Sequence, residues 1–222
     1  PLGPAGIYIG QYTPILAGNY DLSIRRAGKE LKGRIAGTIR RGPFSPFTVL
    51  PGSTAGSTTI AVHEYLENNS TFLGFSNQNF VAMAGATTTF SIVTKDRYAN
   101  PKTVGGEEFV INVGPLAQGL SLDLGNGTYS ASYRMTSSGD YKLAILVNNQ
   151  LVQNPPAFFD ASEGGFKLVV MASSTLASRS EIVGVGLTTA TAGSTSAFSI
   201  QTYDEFGNKK DYGGDTMIAE LY

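Results

Sequence analysis

The stretch Gly127-Thr128-Tyr129-Ser130-Ala131-Ser132-Tyr133-Arg134, followed after a short break by Gly139-Asp140-Tyr141-Lys142-Leu143-Ala144-Ile145-Leu146-Val147, decides the fold. Tyr129, Ala131 and Tyr133 fall on alternate residues with serines between them, the period of two that sends successive side chains to opposite faces of a β-strand. Tyr141, Leu143, Ile145 and Val147 repeat the pattern. The residues between the runs, Thr136-Ser137-Ser138, are turn formers. Gly139-Asp140-Tyr141 sets a tyrosine at the start of a strand, as in the tyrosine corner of β-sandwiches, where the ring packs inside and the hydroxyl bonds nearby backbone.

The same alternation extends outward. Phe90, Ile92 and Thr94 share one face of an earlier strand, and Phe109, Ile111 and Val113 one face of the next. These residues, with the tyrosines and aliphatics above, form the expected core. Helix signals are poor throughout, and turn clusters recur at short intervals, so the fold class is all-β.

The chain repeats itself in two overlapping ways. Gly6-Ile7-Tyr8, Tyr12, Gly18, Tyr20 and Leu22 return as Gly127-Thr128-Tyr129, Tyr133, Gly139, Tyr141 and Leu143, each 121 positions on, as Tyr129 is from Tyr8. Ala84-Gly85, Phe90-Ser91-Ile92, Thr94, Asp96, Asn100 and Gly105-Gly106 return as Ala192-Gly193, Phe198-Ser199-Ile200, Thr202, Asp204, Asn208 and Gly213-Gly214, 108 positions on. Only the middle copy contains both blocks. The pattern predicts the back half of a unit at 1–50, a complete unit at 54–160 and the front half of another at 173–222, the chain ending inside a strand from Met217 to Leu221. A half-unit has too few strands to close a core alone, so another part of the protein or another copy must complete it.

Composition narrows the function. The 222 residues are 41% hydrophobic, enough for a core, and 16 Lys and Arg against 17 Asp and Glu leave a net charge of -1, which points to neither nucleic acid nor an acidic substrate. Cysteine is absent, which removes disulfides, thiolate metal sites and thiol nucleophiles. No apolar run approaches the roughly 20 residues of a membrane-spanning helix, and the first residues lack the order of a signal peptide. The start at Pro1 without methionine predicts that the true beginning lies elsewhere, so any leader or membrane anchor is expected outside this segment.

The order Ala84-Gly85, Phe90-Ser91-Ile92, Lys95-Asp96, Asn100-Pro101, Gly105-Gly106, Gly127-Thr128-Tyr129, Tyr133, Gly139-Asp140-Tyr141 resembles the repeat of the filamin family. Ser45-Pro46-Phe47 looks like the closing Ser-Pro-Phe of such a repeat and Pro155-Pro156-Ala157-Phe158 like a degraded version. The resemblance implies tandem immunoglobulin-like β-sandwiches, one complete and two partial. It departs from the family in the length of the stretches from Pro51-Gly52 to Ala84-Gly85 and from Phe158 to Ala192. No actin-binding calponin-type domain lies in these residues, so the cytoskeletal role does not carry over.

Sites of chemistry are few. The single histidine, His63, has no second histidine to share a metal or a proton, and a solvent-facing strand position is its expected place, so no enzyme, cofactor, catalytic residue or metal site is expected. Asp96 with Asn100, and Asp204 with Asn208, are expected to close turns, Asx side chains being suited to bonding local backbone, although oxygen ligands also suit calcium. Arg25, Arg26, Lys29, Lys32, Arg34, Arg40 and Arg41 are expected on a solvated hairpin face; without interleaved aromatics they suit an acidic protein or glycan better than nucleic acid. Asn68, Asn69 and Asn126 head glycosylation sequons, informative only for a secreted protein.

The expected binding surface is an open sheet edge. Filamin repeats take added strands at their third strand, which the resemblance carries onto Phe109, Val110, Ile111, Asn112 and Val113. Ile7 and Ile9 stand where the middle unit has Thr128 and Ser130, and are expected to form an assembly face. The expected function is therefore a non-enzymatic structural or adhesive repeat protein, extracellular or on the cell surface, whose partners are proteins: neighbouring repeats or copies of itself, with no nucleic acid and no small-molecule substrate. The alternative is a cytoplasmic filamin-like scaffold or actin-network cross-linker that binds peptides by strand addition.

Overall fold

The computed structural model describes residues 7–35, 38–62, 80–115, 117–153 and 159–220. The first unit contributes β1 (Gly18–Leu22), β2 (Arg25–Arg26), β3 (Lys29–Glu30), β4 (Lys32–Ile35), β5 (Thr38–Arg41) and β6 (Phe44–Val49). The middle unit holds β7 (Ile60–Val62), β8 (Phe80–Met83), β9 (Thr87–Val93), β10 (Phe109–Val113), β11 (Ala117–Gln118), β12 (Leu120–Asp123), β13 (Thr128–Arg134), β14 (Gly139–Val147), β15 (Gln150–Leu151), β16 (Phe159–Asp160) and β17 (Gly165–Met171). The third unit supplies β18 (Glu181–Val183) and β19 (Ser199–Gln201). Among the described residues no helix is long and apolar enough to cross a membrane.

In the middle unit the strands form two sheets. One runs β12-β13-β9-β7, all antiparallel; the other runs β11-β10-β14-β17, with β8 joining β17 in parallel. The alternating residues face inward from both: Phe90, Ile92, Tyr129, Ala131 and Tyr133 from one sheet, Ile111, Val113, Leu143, Ile145 and Val147 from the other, all buried. Phe80 meets Phe90 with ring centroids 6.3 Å apart and Phe166 at 5.3 Å, which ties the sheets together. Thr94 is buried too, its hydroxyl donating to Gly127 O at 2.7 Å, while Phe109 and Tyr141 pack at the core's margin. The all-β immunoglobulin-like sandwich is thus what the period of two predicts.

The closing strand lies elsewhere than the proline-rich run suggests. β17 pairs with β14 as Gly139↔Val170 and Tyr141↔Leu168, and β1 pairs with β6 as Gly18↔Val49 and Tyr20↔Phe47, the same register 121 positions earlier. Ser45-Pro46-Phe47 therefore corresponds to Phe166-Lys167-Leu168, not to Pro155-Pro156-Ala157-Phe158, which lies outside the described residues. The core of the middle unit continues past residue 160, since Phe166, Leu168 and Val170 are buried.

The two offsets also find their cause. β7 meets β9 as Val62↔Ser91 and β18 meets β19 as Val183↔Ser199, separations of 29 and 16 residues, so the middle unit has 13 more residues between these strands. His63, Asn68 and Asn69 fall in that stretch and outside the described residues. No strand forms over Met217–Ala219, where one was predicted. Its counterpart β10 is held by β14 of its own unit, and no equivalent of β14 follows it within these 222 residues.

Candidate functional site: the joint between repeats

The Asp-Asn pairs do close turns, and they reach further than that. Asp96 Oδ1 accepts from the backbone N–H of Tyr98 at 2.9 Å and of Asn100 at 3.0 Å; Oδ2 accepts from Asn100 Nδ2 at 2.8 Å and from Gly52 N–H, in the linker before the unit, at 2.8 Å. Four N–H donors thus saturate the carboxylate, leaving it no lone pair for a cation. The turn demands a left-handed residue before its asparagine: Ala99 sits at φ 65° and Gly207, its counterpart, at φ 83°.

The asparagine amide then crosses to the preceding unit. Asn100 Nδ2 donates to Ile15 O at 2.8 Å and Asn100 Oδ1 accepts from Ala17 N–H at 2.9 Å. This two-way pairing fastens the turn to the loop just before β1. Tyr20, the counterpart of Tyr141 in the repeat, fixes that loop from within its own unit by donating its hydroxyl to Leu16 O at 3.1 Å, a tyrosine corner of the kind predicted at Gly139-Asp140-Tyr141.

The bonds of the carboxylate and the amide recur at the next junction. Asp204 Oδ1 accepts from Phe206 N–H at 2.9 Å and Asn208 N–H at 2.8 Å, and Oδ2 from Asn208 Nδ2 at 2.7 Å and linker Ser173 N–H at 2.9 Å. Asn208 Nδ2 donates to Thr136 O at 2.8 Å, and Ser138 N–H donates to Asn208 Oδ1 at 2.9 Å. Thr136 and Ser138 stand 121 positions after Ile15 and Ala17. Tyr141 again holds the loop, its hydroxyl 3.4 Å from Ser138 O. Beside each joint a threonine bonds a carboxylate: Thr54 that of Glu107, Thr175 that of Asp215.

The second joint adds an aromatic plug. Phe206 packs against the middle unit's core and over the turn between β8 and β9, where Gly85 at φ 82° leaves so little room that a Cβ would come within 2.3 Å of the ring. Glycine is needed there both for its backbone angle and for the close approach. Tyr98 takes the equivalent place at the first joint; it is 39% exposed, with the Arg97 guanidinium 4.6 Å above its ring.

Charge suits the arrangement. Asp96 and Asp204 are 2% and 0% exposed. Burial works against their ionisation, but the Asn100 or Asn208 amide and the backbone N–H groups outweigh it, so both carboxyls titrate below the ordinary aspartate value. Each is an ionised anchor at neutral pH.

The other predicted sites are dispersed. Asn126 lies on an exposed turn, accepting from Thr128 N–H at 3.0 Å. Ile7 and Ile9 are 57% and 58% exposed. Phe109–Val113 is less open than predicted: β14 pairs with its whole length on one side, and on the other β11 covers Asn112 and Val113 while Gly119 N–H donates to Ile111 O, so among the described residues the Phe109–Val110 end is the part left unpaired on that side. Among the described residues the four-residue β12 pairs with β13 alone, a longer open edge than the Phe109–Val110 end.

Comparison with known proteins fits this architecture. The family model described as the Filamin/ABP280 repeat matches residues 68–157, so the middle unit is a filamin-type immunoglobulin-like repeat. Among solved structures, the chain is similar to FdeC, an Escherichia coli adhesin, at 18% identity and a TM-score of 0.53 over 86% of this chain and 52% of that one, so it spans about half the FdeC chain. It also matches the Lin-41 filamin domain, at 13% identity and a TM-score of 0.37 over 54% of this chain and 97% of that one. A further match is invasin, a bacterial integrin-binding protein, at 15% identity and a TM-score of 0.49, covering 81% and 32%. These likenesses concern the fold, and a repeat protein built of immunoglobulin-like sandwiches is the class that fold and joint define.

Proposed function

We propose that this chain is a section of a stiff, surface-exposed rod in a structural or adhesive protein, in which each unit is locked to the one before it. The observation that carries this is the duplicated joint: one carboxylate and one amide gather their own turn, the linker and the preceding unit's loop at both junctions, with distances that agree within about 0.2 Å. A hinge would leave the linker free of side-chain bonds to both neighbours. Here the linker N–H of Gly52 or Ser173 is itself part of the lock.

Residues 1–50 and 173–222 are, in this proposal, the back and front halves of flanking units. The shared registers support it, as does exposure: Phe198 is 40% exposed where its equivalent Phe90 is 2% exposed, because the opposite sheet that covers Phe90 has no counterpart around Phe198 among the described residues. The similarity to an adhesin supports the surface location, and the free Phe109–Val110 end, the outward Ile7 and Ile9, and the sequons at Asn68, Asn69 and Asn126 would then serve contact and glycosylation. Labelling of cells that express the natural protein with an antibody to the middle unit tests the location. Staining of intact cells is expected; staining only after permeabilisation would favour the intracellular strand-adding scaffold instead.

A further inference from the structure

The charge of the first unit is arranged in a way that neither the fold nor the joint requires. Within Arg25–Arg41 lie seven basic residues and one acidic one, in a chain whose total charge is -1. The segment folds as two hairpins, β2-β3 and β4-β5, joined at Leu31, which donates to Ile24 O at 2.8 Å and accepts from Gly42 N–H at 3.1 Å. The tight turn at Ala27-Gly28, with both φ angles positive, sets the register of the first. That register puts Arg25 opposite Glu30 but Arg26 opposite Lys29, and the second hairpin puts Lys32 opposite Arg41.

Like charges directly opposite on neighbouring strands are destabilising. Glu30 relieves neither pair: its Oε1 is held by Arg25 Nε at 2.5 Å and Ser23 Oγ at 2.7 Å, and its Oε2 is buried with no hydrogen-bond partner among the described residues. Among the described residues no carboxylate forms an ion pair with Arg26, Lys29, Lys32, Arg40 or Arg41, and all five are exposed. A hairpin selected only for solubility would mix the signs across the strands. Two facing cations can instead embrace one anionic group between them by charge-assisted hydrogen bonds, which relieves the repulsion and gives the arrangement a use.

We infer that the paired hairpins over residues 25–41 bind a polyanion, and that the polyanion is a sulfated glycan. The cations define the site. No residue from 25 to 41 is aromatic, so the stacking platform that single-stranded nucleic acid uses is lacking. The choice of a glycan rests on the surface location proposed above; the site itself does not.

The test titrates the 222-residue chain, at about 0.15 M salt where weak long-range attraction is screened, with a heparin-derived sulfated oligosaccharide, its desulfated form, a single-stranded oligonucleotide of equal charge, and anionic phospholipid vesicles. Binding of the sulfated form alone is expected. Arg26→Gln/Lys29→Gln and Lys32→Gln/Arg41→Gln should each bind about tenfold more weakly, the order of loss when two charge contacts leave a salt-sensitive polyanion complex. Both should melt no lower than the parent chain. Arg179→Gln/Lys209→Gln, with the same change in charge elsewhere, should bind as the parent does. The inference is overturned by no binding to the sulfated form, by hairpin variants that bind like the control or melt lower than the parent, or by tighter binding of the oligonucleotide or the vesicles. Cell labelling is independent of all these outcomes, so failure here and failure of the surface location remain distinguishable.

Discussion

Replacing Asn208 by alanine removes the amide that ties the third unit to the middle one. Two hydrogen bonds cross that joint, Nδ2 to Thr136 O at 2.8 Å and Ser138 N–H to Oδ1 at 2.9 Å, and a third, at 2.7 Å, braces the amide on Asp204. At about 1 kcal/mol net for each bond that crosses, docking weakens by about 2 kcal/mol. Each 1.4 kcal/mol is tenfold, so the ratio of locked to unlocked joints falls about thirtyfold. The chain has no cysteine, which makes Asn126→Cys and Ser194→Cys clean sites for a spin-label pair across the joint. Electron–electron distance measurements should give one narrow distribution for the doubly labelled parent and a clearly broadened one after Asn208→Ala, with the middle unit's own melting little changed. An equally narrow distribution at the same mean distance would refute the claim that the amide holds the units together.

Other perturbations probe the same construction. Asp96 and Asp204 titrate below the ordinary aspartate value in the locked state, so they add stability above that value, and the contribution is lost as pH falls through the lowered one: melting temperature should drop steeply below about pH 4, and Asp204→Asn should flatten the drop. Gly85→Ala forces a Cβ into the Phe206 ring and a side chain into left-handed backbone, costing about 1–2 kcal/mol for the backbone alone; a double-mutant cycle with Phe206→Ala should recover only the steric part. Ala99→Gly removes a left-handed alanine at φ 65° where the second joint has glycine, and should raise the urea midpoint by an amount equivalent to about 1 kcal/mol or less.

The sandwich was legible because its evidence is local. Tyr129, Ala131 and Tyr133 announce their strand within five residues, and burial of the whole set follows from one face of each strand turning inward. The strand Gly165–Met171 escaped notice because its apolar run follows Pro155-Pro156, which resembles a terminus; only the β1-β6 and β14-β17 registers identify it. The joint was half legible. Asp96 and Asn100, four apart, read correctly as a turn, but the bonds from Asn100 to Ile15 and Ala17 span more than eighty positions and leave no spacing to detect. A signal did exist: Asp96-Asn100 and Asp204-Asn208 recur together with the loops before Gly18 and Gly139, and turns of purely local purpose would not need that association. For Phe109–Val113 the resemblance indicated an open edge strand, whereas the two-residue β11 that covers Asn112 and Val113 is too short to show in any periodicity.

Orientation in solution tests the locked joint most directly. Residual dipolar couplings measured for backbone N–H vectors of the middle unit and of residues 173–215 in one aligned sample should fit a single alignment tensor on the structure's own arrangement. Two tensors of different magnitude, or one tensor that demands another relative orientation, would contradict it.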